Sequence, residues 1–525
     1  MVVAKNIIRS QTIDVQYNGN AEGFALQEQL GSWCKETFLP ALEIMLEEYA
    51  RDDNYIKIEK IEIETSAIGV GDWQHILLKN IIEKIKDKIN SATNNAQPDF
   101  QAKHNTAETN FRELLFHFLQ YGYFPWWSNI DSKNDFNNQL EECLEKGSIP
   151  RAEILILLNN QDVRKRIAYQ FTPKAFAHLI AGLTKSSLQK AEAIMNDVIV
   201  IIGSRFLTAA NTNISENNFR EILLNDLLIS PAKNVLIISI ETWLQQAIAY
   251  NSFQTEIFKN IKLHSEEFKA IVKKIKEKQQ GIIEGETRKK KQPGKKSLDD
   301  INLKVEEATK AETAPEHEEE INPVTIEKQD PEEVIKDKET TNINKDKPDL
   351  PSKPLDKMLL EGIYISNAGL VLLAPFLPRF FENLGIVEKG RFNSKDLAVA
   401  MLQWLVTGKD DYAEFELVLP KILCGIQPEE SVIIIPRLPE TFKTEGEGLL
   451  RSVIEHWSIL KNTSIEGLRE SFLQRGGKLS MKREEWFLQV EQKPYDMLLE
   501  HLPWNISMIR LSWMEWLLRT EWIGQ

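Results

Sequence analysis

The chain has 525 residues, with 64 Lys and Arg against 78 Asp and Glu, a net charge of −14 and 42% hydrophobic residues. That length exceeds one ordinary hydrophobic core and predicts about two to four folded units, while the acidic balance argues against DNA or an anionic membrane as the main partner. Three cysteines, Cys34, Cys143 and Cys424, lie far apart without a CxxC pair, which excludes a disulfide framework and reads as small buried hydrophobes in a reducing compartment.

The first 71 residues read as strand, helix, strand. Ile13, Val15 and Tyr17 alternate with polar neighbours, as in a half-buried strand. From Ala21 the period changes: Leu26, Leu30, Trp33, Leu39, Leu42, Leu46 and Tyr49 recur at three- and four-residue steps and predict an amphipathic helix. Pro40 sits inside that pattern, removes a backbone donor and predicts a kink. Ile56, Ile58, Ile61 and Ile63 mark a second strand run, whose alternation slips at Glu59–Lys60 and predicts a bulge or break. A helical pattern reopens over 73–89, and 91–105 is polar and read as a loop. The opening MVVAKNIIRSQTIDV has neither the apolar stretch nor the cleavage site of a signal peptide.

Helical periodicity dominates from Glu108 to about Lys278. Phe111, Leu114, Leu115, Phe118 and Leu119 form one apolar face, Gly122 stops the helix, and Phe124-Pro125-Trp126-Trp127 follows as a turn. Further helices are expected over 151–158, 173–181, 188–202, 219–228, 231–250 and 253–278, without a strict repeat period.

Residues 281–357 contain no Phe, Tyr or Trp, open with a basic cluster (Arg288, Lys289, Lys290, Lys291, Lys295, Lys296) and then turn acidic, with prolines at 293, 315, 323, 331, 348, 351 and 354. Such a composition does not bury enough apolar area to offset the entropy of ordering, and predicts a disordered linker. The basic cluster reads as a solvated charge run rather than a specific nucleic-acid site.

After the linker, helices are expected over 370–381 and 395–405, the latter stopped by Gly408. A short apolar segment follows at 418–424, then helical faces at 449–460 and 465–473. Strands at 486–490 and 506–513 flank a short helix at 495–501. The fold class is therefore mainly α with small α+β (strand–helix–strand) units at both ends and several domains around a disordered central linker. The boundaries are an N-terminal α+β unit over 1–90, a helical array over 106–280, the linker over 281–357, and a Trp-rich C-terminal domain over 358–525. The most apolar windows, 198–202, 370–381 and 432–435, fall short of the ~18 residues a transmembrane helix needs, so no membrane insertion is expected.

Catalytic patterns are missing from the residues. There is no HExxH, GxSxG or GxGxxG, and Gly294-Lys295-Lys296-Ser297 lacks the upstream glycine of a P-loop. His117, His178, His456 and His501 lie in helical patterns with no second ligand at metal-binding spacing. No catalytic residue, cofactor or metal site is expected. Tryptophans instead crowd the last third, and they read either as core or as an assembly surface. Trp126, Trp127, Trp504, Trp513, Trp516 and Trp522 are the candidate protein-interaction residues. Trp513 and Trp516 share a face if their segment is helical.

Several stretches carry a family likeness: Leu39-Pro40-Ala41-Leu42-Glu43 in the first helix, the Ile-and-acid run from Ile58 to Glu64, Leu119…Gly122…Pro125-Trp126-Trp127, ISNAG from Ile365, LPKILCGI from Leu419, KNTSIEGLRESFLQR from Lys461 and LPWNISMIRLSWM from Leu502. With these the chain resembles the tape-measure proteins of bacterial contractile injection systems, which are phage-tail-like particles. The likeness touches both ends and part of the middle. It implies a non-enzymatic structural part associated with the inner tube during assembly and setting its length. The implied partners are tube, baseplate or cap proteins, with an oligomer inside the particle compatible. The implied location is the cytoplasm during assembly and then a released or membrane-associated particle. The alternative is a baseplate, cap or cargo-loading adaptor of the same particle without a ruler role.

Overall fold

Pro40 decides the course of the first helical run. In the structure, a computed structural model describing residues 8, 11–16, 23–49, 54–58, 60–66, 68–69, 72–94, 102–130, 132–203, 215–229, 234–250, 261–277, 362–460 and 462–522, helix α1 (Gly23–Trp33) passes through a π-turn at Cys34–Phe38 into α2 (Leu39–Glu47). Pro40 has no N–H to give the carbonyl four residues back, and the wider turn immediately before it absorbs the mismatch. The expected interruption is there. Trp33, Phe38, Leu42 and Met45 from this run pack on Ile85 and Ile89 of α3 (Trp73–Asn94) in a small core of their own.

Strand β1 (Asn54–Ile58) ends where the alternation slips, and residues 60–66 have no regular structure. Its partner corrects the sequence reading. β1 pairs antiparallel with β2 (Ala102–Thr106), inside the stretch read as a polar loop. Residues 11–16, at the expected first strand, form none, and Tyr17 lies outside the described residues. Pairing across strands overrides the low strand propensity of Ala-Lys-His-Asn-Thr.

The chain divides into two compact units, Met1–Ile271 with Lys353–Gln525, and Val272–Ser352. Of the second, only 272–277 are described, so the linker expected over 281–357 lies outside the described residues. Within the first, short helices follow one another: α4 (Ala107–Tyr121), α5 (Lys133–Glu145), α6 (Arg151–Leu157), α7 (Gln161–Gln170), α8 (Pro173–Thr184), α9 (Leu188–Ile202), α10 (Glu216–Ile229) and α11 (Val235–Tyr250). Helices α5 and α7 are polar apart from short apolar stripes (Phe136, Leu140 and Cys143; Val163 and Ile167) and escape the sequence reading; their caps mark them. The side chains of Thr106, Ser132, Asn160, Thr172 and Ser187 each accept a first-turn backbone N–H, satisfying donors that a helix start leaves orphaned. Of the helix expected over 253–278, residues 253–260 lie outside the described residues, 261–265 are not helical, and a helix opens at residue 266. Its N-terminus is held by the buried Asp197 of α9, which accepts N–H bonds from His264 (2.7 Å) and Ser265 (2.8 Å).

The C-terminal residues build the largest core. Every residue from Ala398 to Val406 in helix Lys395–Thr407 is buried, which makes it a central helix surrounded on all sides. Gly408 ends it at φ 69°, as expected of a left-handed stop. The apolar run at 370–381 is a 3-10 helix (Ala368–Phe376) that turns α at Leu377–Asn383. A five-stranded sheet flanks these helices in the order β3 (Ile363–Ile365), β6 (Gly477–Lys482), β7 (Glu485–Val490), β9 (Leu518–Glu521), β8 (Met508–Ile509). Strands β4 (Val387–Glu388) and β5 (Arg391–Phe392) form a separate hairpin. The expected strand at 506–513 shrinks to the two residues of β8, paired with β9. The 3-10 helix Pro494–His501 lies between β7 and β8. The fold class is as the sequence predicts, mostly helical with small strand units.

Candidate functional site

Helix α4 stops at Gly122, which adopts φ 77°. The stop leaves the last helical carbonyls without helical donors. Arg166 of α7, fully buried, supplies them: its Nη1 donates to Leu119 O (2.8 Å) and Gln120 O (3.1 Å). A Cβ on Gly122 would lie 2.8 Å from Arg166 Nη2 and 3.0 Å from Glu414 Oε1, so only glycine permits both the turn and the approach. Arg166 Nε donates to Glu414 Oε1 at 3.0 Å, and its Nη2 donates to Glu429 O.

Glu414 and Lys421 come from the C-terminal body and are fully buried too. Lys421 Nζ donates to the same Glu414 oxygen at 2.6 Å and to Pro428 O at 3.0 Å. Two cations thus share one carboxylate oxygen. Burial pulls the Lys421 ammonium below its ordinary range, with Glu414 opposing and Arg166 adding to the effect. Glu414 Oε2 and Gln170 Nε2 are buried without a hydrogen-bond partner.

Two loops carry this joint. From 411–417, Asp411 pairs with Lys133 of α5 at 2.5 Å, the Glu414 N–H donates to Gln170 Oε1 of α7 at 3.1 Å, and Phe415 stacks on Phe124 with ring centroids 4.1 Å apart. Phe118 and Phe136 close the same aromatic pocket. From 428–431, Ser431 donates its N–H and hydroxyl to Asp162 Oδ1 at 3.0 and 2.9 Å. The joint unites segments about 250 residues apart in sequence. Of its parts the sequence reading marked the glycine stop at Gly122, and it missed Arg166, Glu414 and Lys421.

The six candidate tryptophans divide into two groups. Trp504, Trp513, Trp516 and Trp522 all pack on the C-terminal core. Trp522, 3% exposed, donates Nε1–H to Asp496 Oδ2 at 3.1 Å, and Asp496 in turn makes a two-pronged pair with the buried Arg475 (3.0 and 2.9 Å). Trp504 donates to Leu372 O at 3.0 Å and Trp513 to Leu423 O at 2.8 Å. Residues 512–516 form turns rather than a helix, so Trp513 and Trp516 do not share a helical face. Trp126 and Trp127 sit elsewhere, half-buried in the turn after α4, with Lys57 Nζ 3.4 Å from the centre of the Trp127 ring.

His456 is exposed and its Nδ1 lies 2.6 Å from Ser452 O. Burial depresses His117 to about 4 and raises the Cys143 thiol to about 11, and it pushes Cys424 up as well. Among the described residues no group of His, Cys, Asp and Glu is arranged to hold a metal ion, and no helix is long and apolar enough to cross a membrane.

A profile of the contractile injection system tape measure protein family matches residues 5–522. The chain belongs to that family. Membership makes it a structural component of a contractile injection particle. No curated protein and no solved structure matches the chain. The family match spans both sides of the ionic joint, so the helices that hold Arg166 and the loop that holds Glu414 are both within it.

Proposed function

We propose that the chain sets the length of the particle's inner tube, with residues 281–357 as the measuring segment. The family match over 5–522 carries this reading. The composition of 281–357 supports it, because a chain segment without aromatics and with recurrent prolines is suited to extension, and it reaches about 250 Å at ~3.3 Å per residue. Lengthening or shortening 281–357 should lengthen or shorten the tube in electron micrographs. Particles of unchanged length reject the ruler.

We also propose that tryptophan side chains dock the protein on tube, baseplate or cap proteins. Trp126 and Trp127 suit this best, since both are half-exposed in a turn outside the C-terminal core. Trp516 has a half-exposed ring as well, whereas Trp504, Trp513 and Trp522 would dock only through the edges their packing leaves free. Full-length protein carrying Trp126→Ala and Trp127→Ala should lose capture by its tube or baseplate partner and, if the chain is a ruler docked through these residues, disturb tube length with it; the opposing outcome is lost capture with tube length unaltered. That outcome favours the adaptor role over the ruler. The organisation into 1–90, 106–280, 281–357 and 358–525 belongs to the same proposal, and limited proteolysis should cut first within 281–357.

A further inference from the structure

We propose that the Arg166–Glu414–Lys421 cluster is a latch, at which helices α4–α9 and the C-terminal body separate as two folded pieces. Three observations carry this, and none depends on whether the chain measures tube length.

The first is the chemistry of the joint. It buries two cations against one carboxylate and leaves Glu414 Oε2 and Gln170 Nε2 unpaired. Charges removed from water and incompletely matched are held at a penalty that opening relieves, because all three side chains regain hydration on separation. An apolar filling of the same volume would hold the pieces more tightly.

The second is how little the pieces share. The C-terminal core draws its buried residues from 363–522, with Tyr123 the one buried contribution from the helices among the described residues. On the other side Leu140, Val163, Ile167, Phe176 and Val198 of α4–α9 are buried, and Phe118 is covered in part by Phe415. Each piece keeps its own apolar core when the joint opens.

The third is the shape of the contact. It is made by the two short loops 411–417 and 428–431, with Phe415 entering an aromatic pocket of the helices while Tyr123, beside Tyr121, enters the C-terminal core. A contact of a few rings and polar groups can come apart without disturbing the central helix Lys395–Thr407.

Hydrogen exchange followed by mass spectrometry on the full-length protein tests the latch. Amides of 119–124, 162–170, 412–417 and 428–431 should exchange together through an opening that leaves 398–406 and 486–490 protected. The triple variant Arg166→Met, Glu414→Leu, Lys421→Met should slow that shared exchange by at least about five-fold, the low end of the stabilisation seen when buried ionic clusters are replaced by apolar groups. If that variant fails to fold, Asp411→Ala with Ser431→Ala, which removes joint contacts at its rim, should speed the same exchange about three-fold or more, chiefly through the lost Ser431 hydroxyl bond to Asp162, and leave 398–406 protected. Exchange of the joint amides only together with 398–406, as one global unfolding, overturns the proposal.

Discussion

Two helices in this protein end in the same way and are finished differently. Helix α4 stops at Gly122 and helix Lys395–Thr407 at Gly408, both left-handed, and at each a buried arginine from a distant segment bonds the freed carbonyls: Arg166 to Leu119 and Gln120, Arg469 to Leu405 at 3.0 Å. At each glycine a Cβ would lie 2.8 Å from the guanidinium. A guanidinium at a helix C-terminus is favourable twice, as a donor to orphaned carbonyls and as a positive charge at the negative end of the dipole. The difference is the counter-charge. Arg166 meets the fully buried Glu414, which Lys421 also claims. Arg469 lies over the Trp404 ring at 4.9 Å, and its carboxylate neighbour Glu466, 3.6 Å away, is mostly exposed. Burial lowers the Arg469 pKa in consequence. A helix end inside one core is finished by packing, whereas one at a joint between distant segments recruits a buried anion.

The comparison breaks most visibly at Glu414. Glu414→Ala strands two buried cations and should cost about 3–5 kcal/mol in urea denaturation followed by tryptophan fluorescence. A loss below about 1 kcal/mol would show that water already reaches the cluster. Next in size, Arg166→Lys should cost about 3 kcal/mol and Arg469→Lys about half as much, because every nitrogen of Arg166 has a partner while Arg469 Nη2 has none. Equal losses would erase the distinction between the two ends. Gly408→Ala should then cost about 2 kcal/mol, the left-handed penalty plus a shift of the arginine, and Gly122→Ala somewhat more, because its Cβ would also lie 3.0 Å from Glu414 Oε1 and from the backbone oxygen of Pro428.

A pH dependence sharpens the comparison further along α4. Burial depresses His117 in the folded protein to about 4 from 6.5, so the unfolded chain binds its proton first. The stability this neutral ring allows is complete above pH 6.5 and is lost as pH falls toward 4. His117→Phe should flatten stability across that interval, and a profile of unchanged slope would rule His117 out as the source. Smallest of all, Asp411→Ala removes an ion pair whose carboxylate is 75% exposed and should change global stability by less than about 0.5 kcal/mol, although it belongs to the same joint.

How much of this was legible in the sequence varies with the range of the interaction. The glycine stops, the Pro40 interruption, the long central helix and the strand at Glu485–Val490 all follow from signals within a few residues. The hairpin between β6 and β7 did not, because its turn is Arg483-Glu484, both at positive φ (51° and 62°), where a hairpin turn ordinarily announces itself with Asn or Gly. β2 was hidden by polar residues, β3 is too short to show alternation, and β8 was expected as a longer strand over 506–513. The tryptophans were visible as residues but not as positions: Trp522 looks like any aromatic near a chain end until Asp496 and Arg475 are brought beneath it.

The sequence by itself determined the family, the mostly helical class, the helix ends and the absence of aromatics between 281 and 357, because each depends on residue type and local spacing. Only the tertiary structure decided which charges lose their water. Arg166, Glu414 and Lys421 are ordinary surface residue types until chain segments distant in sequence fold against one another, and a desolvated ion is defined by everything around it rather than by its neighbours in the chain.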